Sequence, residues 1–383
     1  MPSTKKLLTG KTKAAKPVTN FKFSMLERAD VTVIGAGPAG AAVAATLAKG
    51  GFRTAIIESD CAPVWKIGET LAPESLPFLE RLGVNRHVLQ ENGHLPSPGS
   101  CSAWGSNDLV LKDFISNPNG CGWQLDRVRF ERMLQNLAAN AGAKIRHGLR
   151  VQEIIRDGNE WNIKLDGQLL KSRWLIDSSG RGAVVARRLG ASRSSLDRLV
   201  SVYARHMSPT ATDLDARTLI EASPNGWWYS ALTPGGRRTV AFQTDADLLV
   251  GQEWRSAEWF RRKIRETRHV SALLERHTYL MEDQPRLISA YSGRLNPCHG
   301  DGWLAAGDAA LCVDPLSGQG LLNALITARH AAEALVEQRK HHGFARFAAV
   351  IDLAWHQFLN GRRRHYRTEK RWPRNPFWER RSY

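Results

Sequence analysis

Residues 31–51 read VTVIGAGPAGAAVAATLAKGG. Four β-branched residues predict a buried strand, and Gly35, Gly37 and Gly40 follow at G-x-G-x-x-G spacing with Pro38 and Ala39 between them. An Ala-rich helix then runs to a Gly50-Gly51 stop. Each glycine has a separate task in such a unit. The first makes the tight turn, the second lets a pyrophosphate approach the backbone, and the third lets helix and strand pack closely. The helix N-terminus then faces the phosphates. A second strand, TAII, ends at Glu58, where a carboxylate accepts from a ribose hydroxyl. A Gly-rich turn in any α/β unit mimics the glycine triplet alone; strand, helix and Glu58 together specify a dinucleotide site. At this point NAD and FAD are equally compatible with it.

The rest of the chain is long enough for two lobes, with 383 residues of which 42% are hydrophobic. The net charge of +17 is not spread over one face. Residues 1–24 hold six lysines and no acid, and the last 23 residues hold nine Lys/Arg against two Glu, so the body is close to neutral. That distribution argues against a nucleic-acid partner. Residues 1–25 are expected to be a disordered basic extension, because Met25 opens MLERADVTVIGAG much as a native start does. The basic C-terminus is expected to be solvated surface or a docking element for an acidic partner. Cys61, Cys101, Cys121, Cys298 and Cys312 lack any C-x-x-C or Cys/His ligand spacing, so no disulfide framework and no metal site is expected. A reducing cytoplasm fits, and no apolar run reaches the length of a membrane span.

Residues 307–321, GDAALCVDPLSGQGL, separate FAD from NAD. They follow a short apolar strand and precede a helix with a small, apolar face. The stretch resembles the second FAD signature of the p-hydroxybenzoate hydroxylase superfamily. That resemblance implies that Asp308 binds the ribityl chain, while Pro315, Gly318, Gln319, Gly320 and Leu321 lie along the isoalloxazine. QLDRVRFERML at 124–134 resembles the family's L-D-R-x-x-F helix start, whose Arg, here Arg127, reaches the cofactor, with Asp126 also placed as an N-cap. WLIDSSGRGAVVARRLG at 174–190 resembles the middle signature, with Asp177 and Gly180. RVQEI at 150–154 takes the place of the strand whose backbone, at Val151, reads adenine. The resemblance implies FAD as cofactor. It also implies an α/β fold, in which a Rossmann-like FAD-binding domain of glutathione-reductase type carries an inserted antiparallel-sheet substrate domain and a C-terminal helical tail. The expected FAD domain takes residues 26–95, 120–195 and 285–340. The substrate domain takes 96–119 and 196–284, and 341–383 form the helix and basic aromatic tail.

WKIGETLAP at 65–73 is similar to the G-E-A-T-x-P element of flavin-dependent halogenases and to the matching segment of geranylgeranyl reductases, which places Gly68, Glu69 and Thr70 beside the flavin. A helix cap by Thr70 or Glu69 is the alternative reading. NGWWYSALTPGG at 225–236 keeps only Trp227 of the halogenase W-x-W-x-I-P, with Tyr229 in place of the second Trp. The halogenase lysine falls where this chain reads SPGSCSAWGS, and its catalytic glutamate aligns with Ser317. A halogenase fold without halogenase residues is similar to the flavoproteins that mature tryptophylquinone enzymes, and EKRWPRNPFWERR at 369–381 resembles an ending found in halogenase-like flavoproteins. The resemblance implies a monooxygenase with O2 as co-substrate. NAD(P)H would reduce it directly or through a separate flavin reductase, and the substrate would be an indole of a precursor quinoprotein oxidase or of a small aromatic molecule. A small-molecule hydroxylase or halogenase and a geranylgeranyl-reductase-like enzyme are the alternatives. Glu69, Thr70, Trp227 and Tyr229 are the substrate-side candidates. His206, a lone strand histidine, reads as structural. AEWFRRKIRETRHVSALLER at 257–276 reads as one amphipathic helix with a solvated basic face.

Overall fold

The computed structural model describes residues 24–382 except 211, 250, 252 and 338–342. Most of the extension expected at 1–25 lies outside the described residues. Ser24 and Met25 are already strand, paired with Gln168 and Leu169. The first sheet is built around Ser24–Ile34. Thr54–Ile57 and then Lys144–Arg146 run parallel on one side, and Gln168–Asp177 and then Trp303–Ala305 on the other. Ile34 pairs with both Ile57 and Asp177, so the carboxyl ends of the central strands finish together, where ligands bind in open α/β sheets. The helix Pro38–Lys49 packs against the helices Arg127–Asn140 and Gly320–Glu337. Its Ala41, Val43, Ala44 and Leu47 are wholly buried, because small side chains let three helices crowd one sheet.

The second sheet is mostly antiparallel and contains the four strands that alternation predicts: Leu199–Met207, Arg237–Asp245, Gly226–Thr233 and Thr218–Ser223, in that spatial order. Gly99–Ala103 joins in parallel, and Val110–Asp113 closes that side. Arg286–Ser289 also pairs here, with Leu199–Met207, although the sequence places it in the FAD domain. One face of the sheet carries Val202, Leu219, Trp228, Val240 and Phe242, covered by helices Ala257–Arg265 and His269–Arg276. The sequence reads these two helices as one. The break comes from Glu221, whose carboxylate accepts from the backbone amides of Arg268, His269 and Val270 and starts a second helix there.

The other face looks toward the first sheet. Helix Gly343–Thr368 and the turn Pro376–Glu379 pack along it, and Tyr366, Phe377 and Trp378 are buried against Trp227 and Leu199. The C-terminal segment is therefore anchored to the roof at Arg381, while Arg363, Arg364, Arg367, Lys370 and Arg374 stay exposed to solvent. Arg381 reaches Asp245 at 2.6 Å, and Arg380 reaches Asp245 at 3.0 Å and Asp247 at 2.7 Å.

Candidate active site

A cleft of about 1750 Å³ runs from the strand ends of the first sheet to the underside of the second. At its nucleotide end Gly35 has φ +101°, and a Cβ there would sit 2.4 Å from the Ser178 carbonyl oxygen. A Cβ on Gly40 would sit 1.9 Å from the Gly35 oxygen, so both positions require glycine for turn and packing. Gly37 differs. A Cβ there meets nothing within 4 Å, and Gly37 lines the cleft at the start of a helix that has no side-chain cap. Uncapped helical amides over an open glycine form a cradle suited to a diphosphate. Pro38, Ala39 and Glu58 line the same end. Glu58 is oriented by the Ala36 amide at 2.7 Å and the Asp60 amide at 3.1 Å.

The signature residues divide. Gly68, Arg127, Val151, Gly180, Asp308, Pro315, Gly318, Gln319, Gly320 and Leu321 line the cleft, whereas Gly40 and Asp177 do not. Asp177 is wholly buried. Its oxygens accept from the amides of Ser179, Val185 and Ala186 and from the Ser179 hydroxyl, so it builds the turn that presents Gly180. Val151 sits in a connection rather than a strand, since the strand begins at Glu153, and its carbonyl accepts from Arg188 at 3.1 Å. Arg127 donates to the carbonyls of Ile67 and Gly68 and to Glu131, and so anchors the turn before Glu69. Arg181 faces Asp308 at 3.1 Å. These residues fit an extended dinucleotide: glycine cradle and Glu58 at one end, Asp308 midway, and the backbone of 315–321 at the other.

The second sheet roofs that far end. Strand pairing puts Thr218, Ile220, Tyr229, Gln243, Ser201, Ser100 and Ser102 on one face, and all of them line the cleft. Thr70 Oγ1 lies 3.0 Å from Tyr229 Oη, 3.0 Å from Gln124 Oε1 and 3.2 Å from Thr218 Oγ1. Glu69 sits just behind, at 1% exposure, and does not reach the cleft surface. It accepts from Thr239 at 2.6 Å, from the Gly68 amide at 3.0 Å and from Tyr229 Oη at 3.4 Å. Burial raises the Glu69 carboxyl above the usual range, against the pull of the Thr239 hydrogen bond. Burial and the Glu69 charge push the Tyr229 phenol well above its ordinary value, so its hydroxyl stays a donor.

Trp227 does not line the cleft. It shares a face with Tyr229 but is covered by the C-terminal turn, and its Nε1 donates to Tyr366 Oη at 3.1 Å. His206 lies on the opposite face against Phe260, and burial lowers its ring to about 4. The sequence reading missed Thr218, Gln124, Gln243 and Ser201, although the two-residue alternation from Tyr229 pointed to Thr218 and Gln243 once register was known. It also missed two cleft lysines. Lys66 is tied to Glu131 at 2.9 Å, and Lys112 is exposed on the outermost roof strand.

A profile of the FAD-binding-domain family matches residues 28–344. The chain belongs to this family. Among curated relatives, LodB of Marinomonas mediterranea, described as an FAD-dependent oxidoreductase, is 28% identical over 364 residues, covering 93% of this chain and 97% of LodB. The myxobacterial chondrochloren halogenase CndH has the same fold, with a TM-score of 0.85 at 21% identity over 94% of this chain and 86% of its own. The peptidyl tryptophan dihydroxylase QhpG, essential for tryptophylquinone cofactor biogenesis, matches with a TM-score of 0.76 at 26% identity, covering 93% of this chain and 79% of its own. This member of the FAD-binding family is thus a halogenase-like FAD-dependent oxidoreductase of the p-hydroxybenzoate hydroxylase superfamily.

Proposed function

We propose that this flavoprotein is a monooxygenase that transfers oxygen to an indole ring, the ring being a tryptophan of a precursor polypeptide in tryptophylquinone biogenesis. The observation that carries the reading is the roof. With Thr70 facing it, the roof offers hydroxyls and an amide from Tyr229, Thr218 and Gln243, while the two cleft lysines are held by Glu131 or exposed at the mouth. A halogenase requires a lysine at the reacting ring, and Ser317 stands where its glutamate is expected. The likeness to a peptidyl tryptophan dihydroxylase supports the same reading.

The chemistry that FAD supplies when bound is two-electron reduction of O2, with NAD(P)H as electron source directly or through a reductase. The chain's own residues hold and shield. Gly37 and the first helix seat the diphosphate, and the 315–321 backbone fixes the ring system. The roof keeps water from the reacting face, and the Tyr229 hydroxyl, kept protonated, orients the substrate as a donor. Five free thiols and no helix long and apolar enough to cross a membrane among the described residues fit a reducing, cytoplasmic setting. The test is to reduce the protein anaerobically and add O2 and chloride with free tryptophan and a Trp-containing polypeptide, reading products by mass spectrometry. Oxygen gained on the polypeptide is the expected result. Chlorine in place of hydrogen on either substrate would make the protein a halogenase.

A further inference from the structure

Among the described residues the roof sheet ends at Val110–Asp113, which pairs with Gly99–Ala103 on one side only. Its outer edge therefore presents backbone N–H and C=O groups in the plane of the sheet. Natural proteins blunt such edges with charge, proline or a covering element, since an open edge recruits another strand. Here the edge is mixed: Lys112 and Asp113 are exposed on it, but so are Val110 and Leu111, each 60% exposed, and Ile115 just beyond it is 94% exposed. The same segment borders the cleft, which Val110, Lys112 and Phe114 line.

We infer that this edge is the docking strip for an extended, acidic polypeptide segment, which adds as the next strand of the roof and directs every second side chain beneath it into the cleft. The inference rests on the polypeptide reading of the substrate and specifies how that substrate is held. Register gives the geometry. Ser102 pairs with Val110 and Ser100 with Lys112, and all four line the cleft, so the underside of the roof continues through this outermost strand. A strand added beyond it keeps the alternation, and its downward residues fall beneath the roof. A tryptophan at such a position is delivered by main-chain hydrogen bonds, without a dedicated indole pocket on the surface.

Charge gives the chemistry of the partner. Lys112 and His365 both line the cleft mouth, and the exposed Arg364 adjoins His365 in the chain. Among the acids of the strip, Asp113 is held by Arg217 at 3.3 Å and Asp108 stands in the turn before the strand. The mouth is thus cationic beside a partly apolar edge, which suits glutamate or aspartate flanking the tryptophan.

The test measures binding apart from turnover, by fluorescence anisotropy of labelled peptides in which a single Trp is flanked by Glu, Gln or Lys, with the FAD-loaded protein. The Glu-flanked peptide should bind about tenfold more tightly than the Lys-flanked one, with the gap closing as salt screens the mouth. Leu111→Glu, on the sheet face away from the cleft, should weaken the Glu- and Gln-flanked peptides by about tenfold while FAD binding and the melting temperature stay unchanged. Equal affinities for Glu- and Lys-flanked peptides in the native protein overturn the proposal, as does undiminished binding to a folded Leu111→Glu variant. Tight, charge-dependent binding without oxygen gain keeps the docking strip and sinks the oxygenase reading instead.

Discussion

At Glu69 a carboxyl is sealed behind the cleft with donors from Gly68, Thr239 and Tyr229 around it, and burial still raises its proton affinity. A carboxyl raised in the folded state binds its proton more tightly there than in the unfolded chain. Its contribution to stability is present at acidic pH and is lost as pH rises from the ordinary carboxylate range toward the raised value, by about 1.4 kcal/mol per unit of difference. Glu69→Gln removes the titration while preserving shape. Melting temperatures followed from acidic to neutral pH should fall with pH more steeply in the native protein than in this variant, and superimposable profiles would show that Glu69 ionises as if in water. The residue type was legible in GETLAP, but its depth was not. Depth is set by Thr239 and Tyr229, which lie 170 and 160 residues away. Asp177 shows the reverse: the motif position was right, yet its oxygens serve Val185 and Ala186 rather than the cleft.

Among the elements, those read correctly from sequence are governed by local rules. The strand, glycine turn and helix of 31–49 follow from side-chain period and from backbone that only glycine tolerates, and both are visible within twenty residues. The split of 257–276 into two helices was hidden because Glu221, which caps the second, comes from a strand 47 residues earlier. The docking of the C-terminal turn was hidden for the same reason, since its arginines are matched by Asp245 and Asp247 at the end of a roof strand. These two acids should differ in worth. Asp245 is buried and faces Arg381, which is equally buried, so Asp245→Ala strands a charge and should cost about 3–5 kcal/mol. Asp247 is partly exposed and pairs with an exposed Arg380, so Asp247→Ala should cost about 0–1 kcal/mol. Urea unfolding of the two variants, with proteolysis of the C-terminus as a second readout, checks the contrast; equal losses would mean that the tail is not anchored through Asp245.

For the whole molecule, the cleft belongs to neither sheet alone. The glycine cradle and the 315–321 backbone come from the first, the roof from the second, and the C-terminal helix joins them: Tyr366 Oη donates to Asp314, the residue that caps the turn Pro315–Ser317, and accepts from Trp227 in the roof. Asp314 and Tyr366 are buried, and burial raises both, although Arg362 at 3.5 Å pulls Asp314 back down; the Tyr366 phenol stays a donor, and its hydrogen bond ties loop to roof. FAD bound along this cleft touches both halves and should stabilise them as one unit. Binding that excludes the unfolded chain adds about 2.7 kcal/mol at a hundredfold excess over Kd. FAD titrated into the apoprotein should therefore raise a single unfolding transition. Tryptophan fluorescence, which reports both halves through residues such as Trp161 and Trp303 in the first sheet and Trp227 and Trp228 in the roof, should move in step with far-UV dichroism. Two transitions, of which only one shifts with FAD, would show that the cofactor is held by one half alone and that the Tyr366 link does not couple the halves.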